Sequence, residues 1–186
     1  LGTAIRQSSF NAVSIMTGTG FGSADFSAWG GFASTLLLIA MFIGGCGGST
    51  TCGIKVFRLQ VLATTARVQI SRLLRPHAVV LAYYNKRPVA PEVMDSVMGF
   101  FYLYILCFVL LAILLGMMGL DFVTALSGAA TSISNEGPGL GNLIGASGNF
   151  ATVPDAAKWV MAFGMLLGRL ELFTVLVMLT PAFWSR

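Results

Sequence analysis

The sequence predicts an all-α integral membrane protein, and three observations carry that expectation. The 186 residues are 56% hydrophobic and only 10% charged, against about 25% charged in an average globular domain, and mean hydropathy is +0.83. Ser96 to Leu120 holds no ionisable group apart from tyrosine and cysteine, and about 20 apolar helical residues suffice to cross a hydrocarbon core of roughly 30 Å. Two glycine-rich stretches, SIMTGTGFGS at 14–23 and SISNEGPGLG at 132–141, echo each other across the chain. Glycine is costly to order and contributes no burial, so packing alone does not call for them.

Taken in order, TAIRQSSFNAVSIM at 3–16 is helix-compatible but too short to cross, and it runs into the glycine loop TGTGFG. Phe26 to Ile54 is free of Asp, Glu, Lys, Arg and His, and its first part reads as a spanning helix from about Trp29. Its second part, GGCGGSTTCGIK at 44–55, is a glycine-rich break that begins about 22 Å along the helix axis, past the bilayer middle. A phosphate-binding loop is excluded there, because Gly48 rather than Lys precedes Ser49. VFRLQVLATTARVQISRLLRP then spaces apolar residues at helical period with arginines on the other face, as expected of a helix leaving the membrane and ending near Pro76. RPHAVVLAYYNKRPVAPE carries three prolines and an Asn and reads as a linker. The span 96–120 follows. DFVTALSGAATSIS at 121–134 is a second apolar segment too short to cross, ahead of Asn, Gly and Pro. A last span from about Trp159 to Thr180 is interrupted by Arg169 and Glu171, of which Arg169 is expected near mid-membrane.

Seven of the 11 basic residues, Lys55, Arg58, Arg67, Arg72, Arg75, Lys86 and Arg87, fall in a window without Asp or Glu. By the positive-inside rule the segment 55–87 is cytoplasmic, and the alternation of spans brings the C-terminal Arg186 to the same side. The net charge of +4 is thus a topology signal, and nucleic-acid binding is excluded because the basic residues flank spans instead of interleaving with exposed aromatics. Cys46, Cys52 and Cys107 have no metal-ligand spacing and read as free thiols. His77, the single histidine, sits in the linker with no carboxylate or cysteine beside it, and no nucleophile-elbow pattern occurs. The chain begins at Leu1 with no signal-peptide pattern, and it is expected to be a fragment.

An offset of 117 places Gly20 on Gly137, Thr17 on Ser134, Ser14 on Thr131 and Gly22 on Gly139. The repeat unit is a re-entrant half-helix, a small polar loop and a spanning helix, with a leading span seen only in the second copy. Irregular backbone at membrane depth is tolerated only when buried in protein or lining a watery path. A loop rich in Gly and Thr offers carbonyl and hydroxyl oxygens that replace the water shell of a cation. A half-helix entering from outside aims the negative end of its dipole at that loop. The alternative for the glycines is close helix packing, and the rival classes are an intramembrane enzyme or a non-conducting membrane scaffold subunit.

In FNAVSIMTGTGFG, GGCGGSTTCGIKVFR, TSISNEGPGLG and LLGRLELFTVLVMLTPAFWSR, which together cover most of the chain, the sequence resembles the TrkH/KtrB family of bacterial potassium transporters. The resemblance implies four repeats of span, pore half-helix and span around one potassium-channel-like pore. Residues 1–95 are then the third repeat without its first span, and 96–186 the whole fourth. It implies that Thr17, Gly18, Thr19 and Gly20, with Ser134, Asn135, Glu136 and Gly137, are two quarters of a potassium-binding filter. Glu136 departs from the small or apolar residue expected at its position, and its carboxylate would either add negative potential at the mouth or point behind the filter. Gly44, Gly45, Gly47, Gly48, Ser49, Thr50, Thr51 and Gly53 would form an intramembrane loop that obstructs the pore and moves to open it. Arg169 would face the pore beneath the filter, where its five donors can hold carbonyls of that loop, the alternative being a structural ion pair away from the lumen. The resemblance also implies K⁺ as transported ligand, no cofactor or transition-metal site in this chain, a homodimer, a cytosolic nucleotide-binding regulatory subunit of the TrkA/KtrA kind, and the bacterial cytoplasmic (inner) membrane as location.

Overall fold

A computed structural model describes residues 1–75, 80–170, 172–178 and 180–184. Pro76, His77, Glu171 and Arg186, on which sequence expectations rest, lie outside the described residues. The described elements are helical except for one small hairpin.

Helix α1 (Gly2–Met16) leads into the first glycine loop, and a 3₁₀ turn at Phe26–Trp29 leads into α2 (Gly31–Phe42). After the 44–53 loop, α3 (Val56–Leu74) runs on. A hairpin of β1 (Tyr83–Tyr84) and β2 (Arg87–Pro88) stands where the sequence reads as plain linker. Asn85 and Lys86 form its two-residue turn with φ of 49° and 64°, the left-handed pair that matches strand twist and that Asn tolerates well. Helix α4 (Pro91–Met117) is the one helix among the described residues long and apolar enough to cross a membrane. It begins at Pro91, ahead of the expected Ser96, because proline's fixed φ suits a first helical turn and Glu92 favours the positive end of the dipole. The helix thus takes in five residues ahead of the uncharged run that starts at Ser96.

Helix α5 (Phe122–Ser134) is capped by Asp121, whose carboxylate accepts from the Thr124 N–H at 3.2 Å. A short turn α6 (Gly141–Ile144) and a 3₁₀ turn at Phe150–Thr152 precede α7 (Asp155–Arg169), α8 (Leu172–Met178) and α9 (Pro181–Trp184). The single span expected over 159–180 is thus divided after Arg169, which lies in the last turn of α7 and not inside a continuous helix. A cation at a helix C-terminus meets the negative end of the dipole, and its side chain is free to leave the helix axis there.

Packing centres on α5, which is held between α4 and α7 and also touches α2. Gly164 and Gly168, one helical turn apart, let α7 approach α5 closely. A Cβ at Gly164 would lie 3.1 Å from Ser132 Cβ, and one at Gly168 would collide with the Ile133 carbonyl. The main apolar cluster joins Leu111 and Leu115 of α4, Ala129 and Ile133 of α5 and Met161 of α7. On the cytoplasmic side expected from charge, Arg58 of α3 lies 3.9 Å from the centroid of the Phe100 ring of α4.

Candidate functional site: two glycine loops above a hydroxyl-rich loop

The two glycine loops have the same backbone. Gly18 and Gly20 have φ of 67° and 75°, and Asn135 and Gly137, 117 residues on, have 55° and 106°. The Gly18 N–H donates to the Ile15 carbonyl (3.0 Å) as the Asn135 N–H donates to Ser132 (3.3 Å). The Thr19 N–H donates to the Ser14 carbonyl (3.0 Å) as the Glu136 N–H donates to Thr131 (3.1 Å). The fourth donor is met in two ways: Gly20 N–H donates to the Ser14 carbonyl at 3.3 Å, and Gly137 N–H to the Thr131 hydroxyl at 3.0 Å. Alternating φ sign turns successive carbonyls to one side, whereas a strand points them to opposite sides.

Each loop is fastened by its own half-helix. Asn11 is fully buried; its Oδ1 accepts from the Ser23 N–H at 3.1 Å and its Nδ2 donates to the Ser23 hydroxyl at 3.1 Å. In the second copy the Ser127 hydroxyl accepts from the Leu140 N–H at 2.9 Å and donates to its carbonyl. Ser23 and Leu140 are again 117 residues apart.

The loops lie against each other. A Cβ at Gly20 would collide with the Glu136 carbonyl oxygen, and one at Gly18 would lie 3.8 Å from the Asn135 carbonyl. The Ser134 and Asn135 side chains of the second loop turn away into protein. The Ser134 hydroxyl pairs with the Tyr104 hydroxyl of α4 at 2.8 Å, the Asn135 amide donates to the Met165 carbonyl of α7 at 3.0 Å, and Glu136 is buried. The Ser134 hydroxyl, bonded to Tyr104, is buried. In the first loop Thr17 and Thr19 are exposed and their hydroxyls lie 2.5 Å apart.

Beneath the first loop, residues 44–53 leave the helical path and return to it. The Gly44 N–H donates to the Ile54 carbonyl (3.0 Å) and the Ile54 N–H to the Phe42 carbonyl (2.9 Å), tying the ends together. Gly44 is required because a Cβ would collide with the Cys52 carbonyl. Gly45 lies beside Ser49 and Thr51, Gly47 against Phe57, and Gly48 and Gly53 take left-handed φ of 85° and 76°. Ser49 closes a turn on the Cys46 carbonyl at 2.8 Å. The Thr51 hydroxyl reaches up to the Thr17 carbonyl at 3.1 Å. From α7, Arg169 donates through Nη1 to the Thr50 carbonyl at 2.7 Å and approaches Cys52 Sγ at 3.7 Å. A cavity of about 160 Å³ opens between this loop, Arg58, Tyr104 and Arg169. All the expected site residues therefore fall in one contiguous region, with Gly47 and Gly48 at its margin.

A model of the TrkH family, described as cation transport protein, matches residues 1–186. The chain belongs to the TrkH family. It is 48% identical over 184 residues to the Trk system potassium uptake protein TrkI of Halomonas elongata, covering 99% of this chain and 37% of that protein. It is 42% identical over 181 residues to the Trk system potassium uptake protein TrkH of Vibrio parahaemolyticus, covering 97% of this chain and 37% of that one. The crystal structure of the potassium transporter TrkH from Vibrio parahaemolyticus matches with a TM-score of 0.86 at 42% identity, over 95% of this chain and 37% of that chain. The chain thus spans 37% of the length of these relatives, and, like its family, it is an all-α integral membrane protein.

In this TrkH-family chain the residues that sequence reading missed are those that hold the loops in place. Gly164 and Gly168 carry a small-xxx-small signal that was there to be read. Tyr104 is a polar group inside an apolar span, a placement that asks for a buried partner. Asn11 and Ser127 occupy non-matching positions of the repeat, so alignment by offset does not reveal them.

Proposed function

We propose that this chain contributes two adjacent quarters of a potassium-selective pore in a potassium uptake protein of the bacterial cytoplasmic membrane. Residues 17–20 and 134–137 form half of a carbonyl-lined filter, residues 44–53 form the gate beneath it, and Arg169 holds that gate closed. The observation that carries the reading is the repeated left-handed φ at 18 and 20 and at 135 and 137 in two touching loops, since backbone oxygens presented from such loops replace the hydration shell of K⁺. The ion follows from the relatives, which are potassium uptake proteins.

The remaining repeats come from the rest of a longer polypeptide. The basic segment 55–87 and the C-terminus face the cytoplasm. The full protein forms a homodimer gated by a cytosolic nucleotide-binding subunit of the TrkA/KtrA kind. The fold offers this gate a simple lever: the Thr51 bond to Thr17 and the Arg169 bond to Thr50 tie filter, loop and α7 together. Gly20→Ser and Gly137→Ser in the full-length protein, reconstituted in liposomes, test the filter. Both are expected to lower the permeability of K⁺ relative to Na⁺, because a side chain at left-handed φ strains the turn and at Gly20 also displaces the Glu136 carbonyl. Unchanged relative permeability in both variants would remove the loops from selectivity.

A further inference from the structure

Glu136 stands at the position of the second loop that Thr19 holds in the first. Thr19 is exposed and its hydroxyl meets Thr17, whereas Glu136 is 3% exposed. Its Oε2 is shielded from solvent and has no hydrogen-bond partner, and no described residue forms an ion pair with it. Its backbone N–H donates to Thr131, and its carbonyl abuts Gly20 of the neighbouring loop. A buried carboxylate without a compensating charge is costly. The residue that carries it is itself one of the rungs proposed to meet the ion.

Resting on the filter reading above, we propose that Glu136 is a specificity-determining carboxylate of the ion path, whose charge is compensated by the transported monovalent cation. Arg169 does not take that role, because it donates to the Thr50 carbonyl. Tyr104, on α4, is already bonded to Ser134. A fixed negative charge in a low-dielectric loop raises the affinity of the path for cations, and it does so more strongly for a divalent ion than for a monovalent one, because the Coulomb energy scales with charge. The two quarters are therefore unequal: the first offers neutral oxygens, and the second adds a charge.

The test uses the full-length protein in liposomes, with K⁺ uptake measured against K⁺ concentration and against Ba²⁺ as a divalent probe of similar size. Glu136→Gln removes the charge and keeps the shape. It is expected to raise the half-saturating K⁺ concentration about tenfold and to weaken Ba²⁺ inhibition by a larger factor. Wild-type dependence on both ions in Glu136→Gln would overturn the proposal, as expected of a carboxyl that is neutral or bonded to trapped water. So would lost thermal stability with unchanged ion dependence, the result for a carboxylate paired with another part of the protein. If Glu136→Gln does not assemble, Glu136→Asp and Glu136→Thr decide: retained Ba²⁺ sensitivity in Asp and its loss in Thr support the proposal, and equal sensitivity in the two overturns it. Gly20→Ser in the same assay separates this inference from the reading it rests on. Altered K⁺ over Na⁺ preference in Gly20→Ser with unaltered affinity in Glu136→Gln rejects only the carboxylate, whereas no change in either rejects the filter.

Discussion

The two half-helices end in loops of the same geometry, yet they sit in opposite surroundings. Helix α5 buries every residue from Ser127 to Ser134 among α4, α7 and α2. Helix α1 buries only Asn11, Ser14 and Ile15 and leaves Ile5, Phe10 and Val13 about half exposed. Because the loops agree despite this difference, their shape is set locally, by glycine or Asn at left-handed φ and by hydrogen bonds back to the last helical turn. Packing decides something else, namely how firmly each loop is held. Among the described residues no leading helix packs on α1 as α4 packs on α5, so the apolar face of α1 is open within this chain. The exposed Thr17 and Thr19 are the informative surface of the first copy, because polar groups at membrane depth need protein or water beside them.

Breaking the seat of α5 is expected to give the largest effect. Gly168→Val drives a side chain into the Ile133 backbone carbonyl and against the Asn135 side-chain amide of the enclosed copy. A loss of about 3 kcal/mol or outright failure to assemble is expected, read as the melting temperature of the purified full-length protein in detergent. A variant that melts like wild type would show that α7 does not press on the second loop.

Arg169→Ala tests the link between the copies, since Arg169 comes from the second and its carbonyl partner, Thr50, from the first. A charged donor on a carbonyl at an exposed site is worth about 1 kcal/mol after screening, so loss of the bond should raise the open population of the 44–53 loop about fivefold. Potassium flux into liposomes is expected to rise by that factor with little change in melting temperature. Unaltered flux with a lower melting temperature would make Arg169 a brace for the loop and not its latch.

Much of this arrangement was legible in the sequence because it rests on backbone chemistry. Gly20 and Gly137 mark left-handed turns whatever surrounds them, and a run free of charge from Ser96 to Leu120 marks a span. What escaped depends on geometry between distant segments. The division of the last span after Arg169 has no proline to announce it, and the Tyr104–Ser134 pair joins residues 30 apart. The Asn85–Lys86 turn escaped for a different reason: a two-residue hairpin without glycine gives a weak signal among prolines that suggest a linker.

The smallest expected effect concerns how α5 begins. Asp121 caps it from the Thr124 N–H, and hydrogen bonding to Thr124 holds the Asp121 carboxyl below the usual carboxylate range. A depressed folded-state pKa means that the carboxylate stabilises the fold above the unfolded-state value of about 3.9. That contribution is fully present at neutral pH and is lost as pH falls through the lower folded-state value. Asp121→Ala should cost about 1 kcal/mol at pH 7, and Asp121→Asn, itself a good cap, much less. The enclosed setting of α5 sharpens the expectation: because α4 and α7 hold the helix along its length, loss of the cap should loosen its outer turn and leave the loop at 134–137 in place. Hydrogen exchange should therefore rise at residues 122–125 in Asp121→Ala and stay unchanged at 134–137, with relative K⁺ and Na⁺ permeability unaltered. Faster exchange in the loop as well would mean that the second copy is held from its outer end, and that burial along the helix does not by itself fix the loop.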